Sequence, residues 1–126
     1  MGLLDGYKIG FIGLGLMGKP MAQNLKSAGA DMIIHNRSQE VVNELKQDGM
    51  KPSKTPADLT RGLAEDDTVI LMLPDTKSLE EVLLGTDGLM LGLQKSCLVI
   101  DMGTSSVGST KILEKRYFEL ILNGFL

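Results

Sequence analysis

Tyr7-Lys8-Ile9-Gly10-Phe11-Ile12-Gly13-Leu14-Gly15-Leu16-Met17-Gly18 is the stretch on which the fold turns. It opens with a short apolar run of strand length and passes at once into three glycines spaced G-x-G-x-x-G. The period then changes. Met17, Met21, Leu25 and Ala28 recur at three- and four-residue spacing, which predicts a helix over Met17 to Ala28 with those residues on its inner face. Gly29 closes it, as a residue in the left-handed conformation closes many helices.

A strand before the glycines and a helix after them is the context that separates a dinucleotide-binding turn from a chance match. Gly13 permits the tight turn, Gly15 puts no side chain in the way of a pyrophosphate, and Gly18 lets helix and strand pack closely. Such a turn delivers an anion to the free N–H groups and positive dipole end of the helix. The bland alternative is a strand-to-helix turn that binds nothing.

Outward from this unit the alternation continues. Met32-Ile33-Ile34 is a second strand, and Ser38 is placed to cap a helix carrying Val41, Val42 and Leu45 inward until Gly49. A short third strand is expected around Met50 to Ser53, although Pro52 cannot donate to a ladder. Thr55-Pro56-Ala57-Asp58 starts a third helix. Thr68 to Leu73 is continuously apolar, as a strand covered on both faces is, and ends at Pro74-Asp75. Ser78-Leu79-Glu80-Glu81 has the form of a capping box, opening a helix through Leu84. Leu98 to Asp101 is the fifth strand, Ser109 to Leu122 is helical in spacing, and Phe125-Leu126 would begin a sixth strand. The expectation is a Rossmann-type α/β fold over residues 1–126: a doubly wound parallel sheet in the order 3-2-1-4-5.

The second strand is followed by His35-Asn36-Arg37-Ser38, about 20 residues past the glycines. An NAD site sets an Asp or Glu there to accept from the ribose 2′-OH. This chain has none at that place. Arg37 instead offers a fork of charged donors, with Asn36 and Ser38 able to add neutral hydrogen bonds. The expected cofactor is therefore NADP(H) rather than NAD(H). The same residues could be a surface Arg and a helix cap, and neither role excludes the other.

The charge balance of −3 has no basic cluster, which excludes a nucleic-acid or anionic-membrane footprint. No apolar stretch is long enough to span a bilayer, and no signal-peptide pattern opens the chain, so a cytoplasmic location is expected. Cys97, the single cysteine, sits in an apolar run and reads as a small buried hydrophobe. His35, the single histidine, reads as a partly exposed strand-end residue. No metal is expected, since no ligand spacing is present.

Phe11 to Gly18, with Pro20-Met21-Ala22 and Asn24-Leu25, closely resembles the N-terminal signature of the β-hydroxyacid dehydrogenases, the group of 3-hydroxyisobutyrate dehydrogenase and glyoxylate/succinic semialdehyde reductase. The resemblance implies cofactor contacts from Gly13, Leu14, Gly15, Leu16, Met17 and Gly18, and from Asn36, Arg37 and Ser38. It adds Leu73 and Pro74, which resemble the family's Leu-Pro-Asp loop beside the nicotinamide, and Thr104. Asp101 to Ser106 is similar to the family's Asp-x-Ser-Thr segment, so Gly103, Thr104 and Ser105 are candidate substrate contacts. Gly103 replaces the family's Ser, and Val107 stands where Pro is usual.

In the family a Phe-Leu pair like Phe125-Leu126 leads into a substrate loop, and an all-helical domain with the catalytic Lys lies beyond. The resemblance thus implies the cofactor part of an NADP-dependent dehydrogenase or reductase for a small 3-hydroxyacid or semialdehyde, inactive as these 126 residues alone. No catalytic residue is assigned within the chain. A non-catalytic NADP(H)-binding module and the cofactor domain of an imine reductase stay open as alternatives, as does an interaction protein that uses no nucleotide, which the intact glycine turn disfavours. Self-association at an open fifth strand, by edge pairing or by exchange of the C-terminal helix, is expected of the isolated chain.

Overall fold

The computed structural model describes residues 2–64, 66–92 and 97–103. Its strands are β1 (Lys8–Ile12), β2 (Asp31–His35), β3 (Lys51–Pro52), β4 (Thr68–Leu71) and β5 (Leu98–Asp101). All four pairings are parallel, and the strands lie in the order β3-β2-β1-β4-β5. Four helices join them: α1 (Gly18–Ser27), α2 (Gln39–Gln47), α3 (Pro56–Arg61) and α4 (Thr76–Leu84). The sheet order and the alternation are those of the expected Rossmann-type fold.

Side chains on successive strand positions point to opposite faces, so each strand feeds two cores. On one face Ile9, Phe11, Met32, Ile34 and Ile70 pack with Ala22 of α1 and with Val42 and Leu45 of α2. On the other, Ile12, Ile33, Val69 and Leu71 pack with Leu59 of α3 and Leu79 of α4. A strand covered on both sides has no polar position to spare, which is why β4 is a plain apolar run. The register sets Ile12 beside His35 and Leu71, so β1, β2 and β4 end level with one another. Their C-terminal edge, at the point where the chain order reverses, is where an open α/β sheet has its crevice.

Several local expectations are corrected. Met17 precedes α1 and is 63% exposed, so the inner face of that helix is set by Ala22 with help from Met21 and Leu25. The third strand is two residues long and lies at the sheet edge, where Pro52 interrupts no bond to β2, since Ser53 N–H donates to Ile34 O at 2.9 Å. β4 stops at Leu71, and Met72 N–H continues to Ile12 O at 2.9 Å. Ser78 does not cap α4. Asp75 does, accepting from Ser78 N–H at 2.8 Å, so the helix starts at Thr76, a turn earlier than the capping-box reading places it. Ser38 occupies the N-cap position of α2 without a side-chain capping bond. Cys97 is half-buried, with Sγ 3.3 Å from Ala64 O. Thr55, by contrast, caps α3 as read, accepting from Asp58 N–H at 3.1 Å. The helix expected at Ser109 to Leu122 and the strand expected at Phe125-Leu126 lie outside the described residues.

Candidate functional site

At the C-terminal ends of β1, β2 and β4 the surface opens into a cavity of about 900 Å³. The glycine turn forms its floor. Gly13 has φ +102, a conformation a side chain resists, and a Cβ there would collide with the Met72 carbonyl of the neighbouring strand end. At Gly18 a Cβ would strike the Gly13 carbonyl and lie 3.3 Å from the Phe11 ring, so this glycine fixes how closely α1 meets β1. Gly15 differs from both: a Cβ there meets nothing within 4 Å, and the residue lines the cavity. The three glycines divide as the motif suggests, two serving the fold and one facing open space.

No side chain caps α1, and its first turn carries no acid. Lys19 N–H already donates to Gly15 O at 3.0 Å and Pro20 has no N–H, so what this end offers an anion is the positive end of the helix dipole and the Gly18 N–H. Leu16 and Met17, both exposed, form the lip of the turn and line the cavity. Leu14 does not line it. Its side chain is buried, and its N–H donates to Asn36 Oδ1 at 2.9 Å.

The wall at the end of β2 is a small network. Asn36 Nδ2 donates to Ser38 O at 3.1 Å while its Oδ1 holds Leu14. His35 Nδ1 donates to Ser53 O at 3.1 Å and ties β2 to the segment after β3. Arg37 extends into the solvent with 82% of its side chain exposed, and its Nη2 donates to Glu81 Oε2 of α4 at 2.8 Å. Asn36, Arg37 and Ser38 all line the cavity.

The opposite wall comes from the end of β4 and from α4, with Leu73 and Pro74 at its base. Asp75 carries a carboxyl held below its ordinary range, first by the backbone N–H of Ser78, then by the Ser78 side chain, with Lys77 and Arg37 adding weaker attraction. Gly103 lies against this segment: its N–H donates to Asp101 Oδ1 at 3.0 Å, and a Cβ on it would collide with the Leu73 carbonyl. The close approach gives a steric reason for glycine at this position. Thr104 and Ser105 lie outside the described residues.

Sequence reading missed Lys54, Ser78 and Glu81, which also line the cavity. Lys54 follows β3 and stands near α3, while Glu81 reaches in from a helix 44 residues beyond Arg37. No binding motif marks either of them: Glu81 stands in the capping-box pattern, and only the fold brings α4 within reach of Arg37. Among the described residues no group of His, Cys, Asp or Glu could hold a metal ion, and no helix is long and apolar enough to cross a membrane.

Residues 8–123 match the family model of the NAD binding domain of 6-phosphogluconate dehydrogenase. The chain is 36% identical over 107 residues to mitochondrial 3-hydroxyisobutyrate dehydrogenase of Rattus norvegicus, covering 85% of this chain and 31% of that one. It is 35% identical over 113 residues to chloroplastic glyoxylate/succinic semialdehyde reductase 2 of Arabidopsis thaliana, covering 90% and 31%. Among solved structures, an imine reductase from Pseudomonas sp. superposes with a TM-score of 0.76 at 25% identity, covering 87% of this chain and 36% of that one. The chain spans about a third of the length of the curated relatives it matches.

Proposed function

The chain belongs to the family of the NAD binding domain of 6-phosphogluconate dehydrogenase, with hydroxyacid dehydrogenases and semialdehyde reductases as its relatives, and from this premise we propose that it binds NADP(H) in preference to NAD(H). The whole protein, on this reading, is an oxidoreductase acting on a small 3-hydroxyacid or semialdehyde. When bound, the nicotinamide accepts or supplies a hydride at its C4.

The residues present fit such a cofactor. The uncapped start of α1 and the open side of Gly15 would hold the pyrophosphate, flanked by Leu16 and Met17. Gly13 and Gly18 hold that turn in shape, and Leu14 serves it through the bond to Asn36. Asn36, Arg37 and Ser38 would take the adenosine ribose and its 2′-phosphate, and Leu73 and Pro74 would side the nicotinamide. Thr104 is a further candidate contact, and Gly103, Thr104 and Ser105 are candidates for the substrate. No lysine of the 126 residues matches the family's proton-transfer lysine. The isolated chain is therefore expected to bind the nucleotide without turnover, in a cytoplasmic protein. A second reading, the cofactor domain of an imine reductase, draws on the Pseudomonas neighbour.

The observation that carries the NADP preference is Arg37, an exposed guanidinium on the cavity wall with no carboxylate at the end of β2. Calorimetric titration of NADPH and NADH tests it. Arg37→Ala is expected to cost NADPH roughly 1.5–3 kcal/mol, about tenfold to hundredfold in affinity, and to leave NADH nearly unchanged. An equal loss for both nucleotides overturns the assignment.

A further inference from the structure

Glu81 reaches Arg37 across the cavity, from α4 to the loop after β2, at 2.8 Å. We infer that Glu81 tunes the site's preference between phosphorylated and unphosphorylated dinucleotides, by holding Arg37 with its own carboxylate until a 2′-phosphate displaces it. The inference rests on the reading of Arg37 given above and names a specificity-determining residue outside the glycine turn and the β2 loop.

A guanidinium presents one planar fork of donors, and carboxylate and phosphate oxygens fit that fork alike. Glu81 and a 2′-phosphate therefore compete for the same N–H groups. The pair is open to water, with 82% of the Arg37 side chain and 52% of the Glu81 side chain exposed. An exposed ion pair is weak, so an incoming dianion can displace the carboxylate. Displacement has a second consequence. Glu81 is left as a negative charge beside the phosphate that replaced it. Lys54 lines the same cavity and makes no ion pair among the described residues. NADH meets neither obstacle, and its 2′-OH can donate to the Glu81 carboxylate. Glu81 thus lowers the NADPH-to-NADH affinity ratio that Arg37 would otherwise set.

Calorimetry with NADPH and NADH at low and at high salt tests this role in wild type, Glu81→Gln, Arg37→Ala and the double variant. Glu81→Gln is expected to tighten NADPH by roughly two- to fivefold at low salt, the worth of an exposed ion pair. NADH should hold its affinity or lose some, and the gain for NADPH should shrink as salt screens the charges. In the Arg37→Ala background the gain should also shrink, because no guanidinium remains to be freed. Glu81→Asp, which keeps the charge but shortens its reach, should give a smaller gain than Gln. An unchanged NADPH-to-NADH ratio in Glu81→Gln overturns the inference while leaving the cofactor reading intact. A gain of the same size with and without Arg37 also overturns it, reducing Glu81 to a distant repelling charge. Indifference of both nucleotides to Arg37→Ala is the separate result that overturns the cofactor reading and this role together.

Discussion

Asn36 Oδ1 accepts the backbone N–H of Leu14 at 2.9 Å, so the side chain that follows β2 holds the glycine turn that follows β1. The bond is partly buried, and Leu14 N–H would lose its partner if the oxygen were removed. Two variants separate the structural part of Asn36 from its part in recognition. Asn36→Leu is expected to cost about 1–3 kcal/mol in stability, the usual penalty of a stranded donor, and to weaken NADPH and NADH alike. Asn36→Asp keeps an acceptor for Leu14, gives up the exposed donor to Ser38 O and sets a carboxylate at the ribose end, so NADPH should weaken while NADH holds or gains. Thermal unfolding with calorimetry checks both. Identical behaviour of the two variants is the contrary result.

The glycines make a sharper division. Gly15→Ala should leave stability within about 0.5 kcal/mol, since its Cβ meets nothing within 4 Å. Dinucleotide affinity should nevertheless fall by about tenfold or more, because that Cβ stands where the pyrophosphate must approach. Gly13→Ala and Gly18→Ala should each cost roughly 1–3 kcal/mol or more, from the positive φ at one and the collision with a carbonyl at the other. If Gly15→Ala binds as wild type does, the anion does not lie over this turn.

Patterns within the chain made the sheet order legible. Apolar runs, glycines and period changes are local, and the rules of parallel connection turn them into the order 3-2-1-4-5. Helix starts were less legible. Asp75 and Ser78 both have capping chemistry, and only the backbone at Asp75, extended at φ −156 and ψ 171, shows which one stands outside the helix. Met17 matched the helical spacing yet lies in the turn before α1, where spacing alone cannot tell an inner position from a lip. For the site, the glycines and Asn36-Arg37-Ser38 were visible because a contiguous motif holds them. Lys54 and Glu81 were not, since their place depends on where α3 and α4 come to rest over the sheet edge.

The two observed caps give a stability test with a pH dependence. Thr55→Ala removes the acceptor for Asp58 N–H and should cost about 0.5–2 kcal/mol. Asp75 has a folded pKa below its unfolded one, set first by its bonds with Ser78. Its contribution is therefore complete above the ordinary carboxylate pKa of about 3.9 and is lost as pH falls through the folded value. Asp75→Ala should lower the melting temperature at neutral pH, and its difference from wild type should close as the solution is acidified below about pH 4. A difference that stays constant across that range would contradict the assignment of the cap.

The last prediction concerns β5, which among the described residues is the outermost strand and pairs only with β4. Leu98 is 57% exposed and Ile100 36%, two positions apart and so on one face, while Val99 between them packs inward against the second core. An outer strand carries a row of unpaired N–H and C=O groups, and apolar side chains beside that row favour pairing with another chain. The 126-residue chain is therefore expected to self-associate as its concentration rises. Leu98→Lys places a charge where natural edge strands often carry one, on a side chain already open to water, so the fold should persist. Sedimentation velocity over a concentration series should show association in wild type and a monomer in Leu98→Lys, with circular dichroism unchanged between them. A wild-type profile that stays monomeric at high concentration sinks the prediction. Association that survives Leu98→Lys moves the contact away from this face of β5.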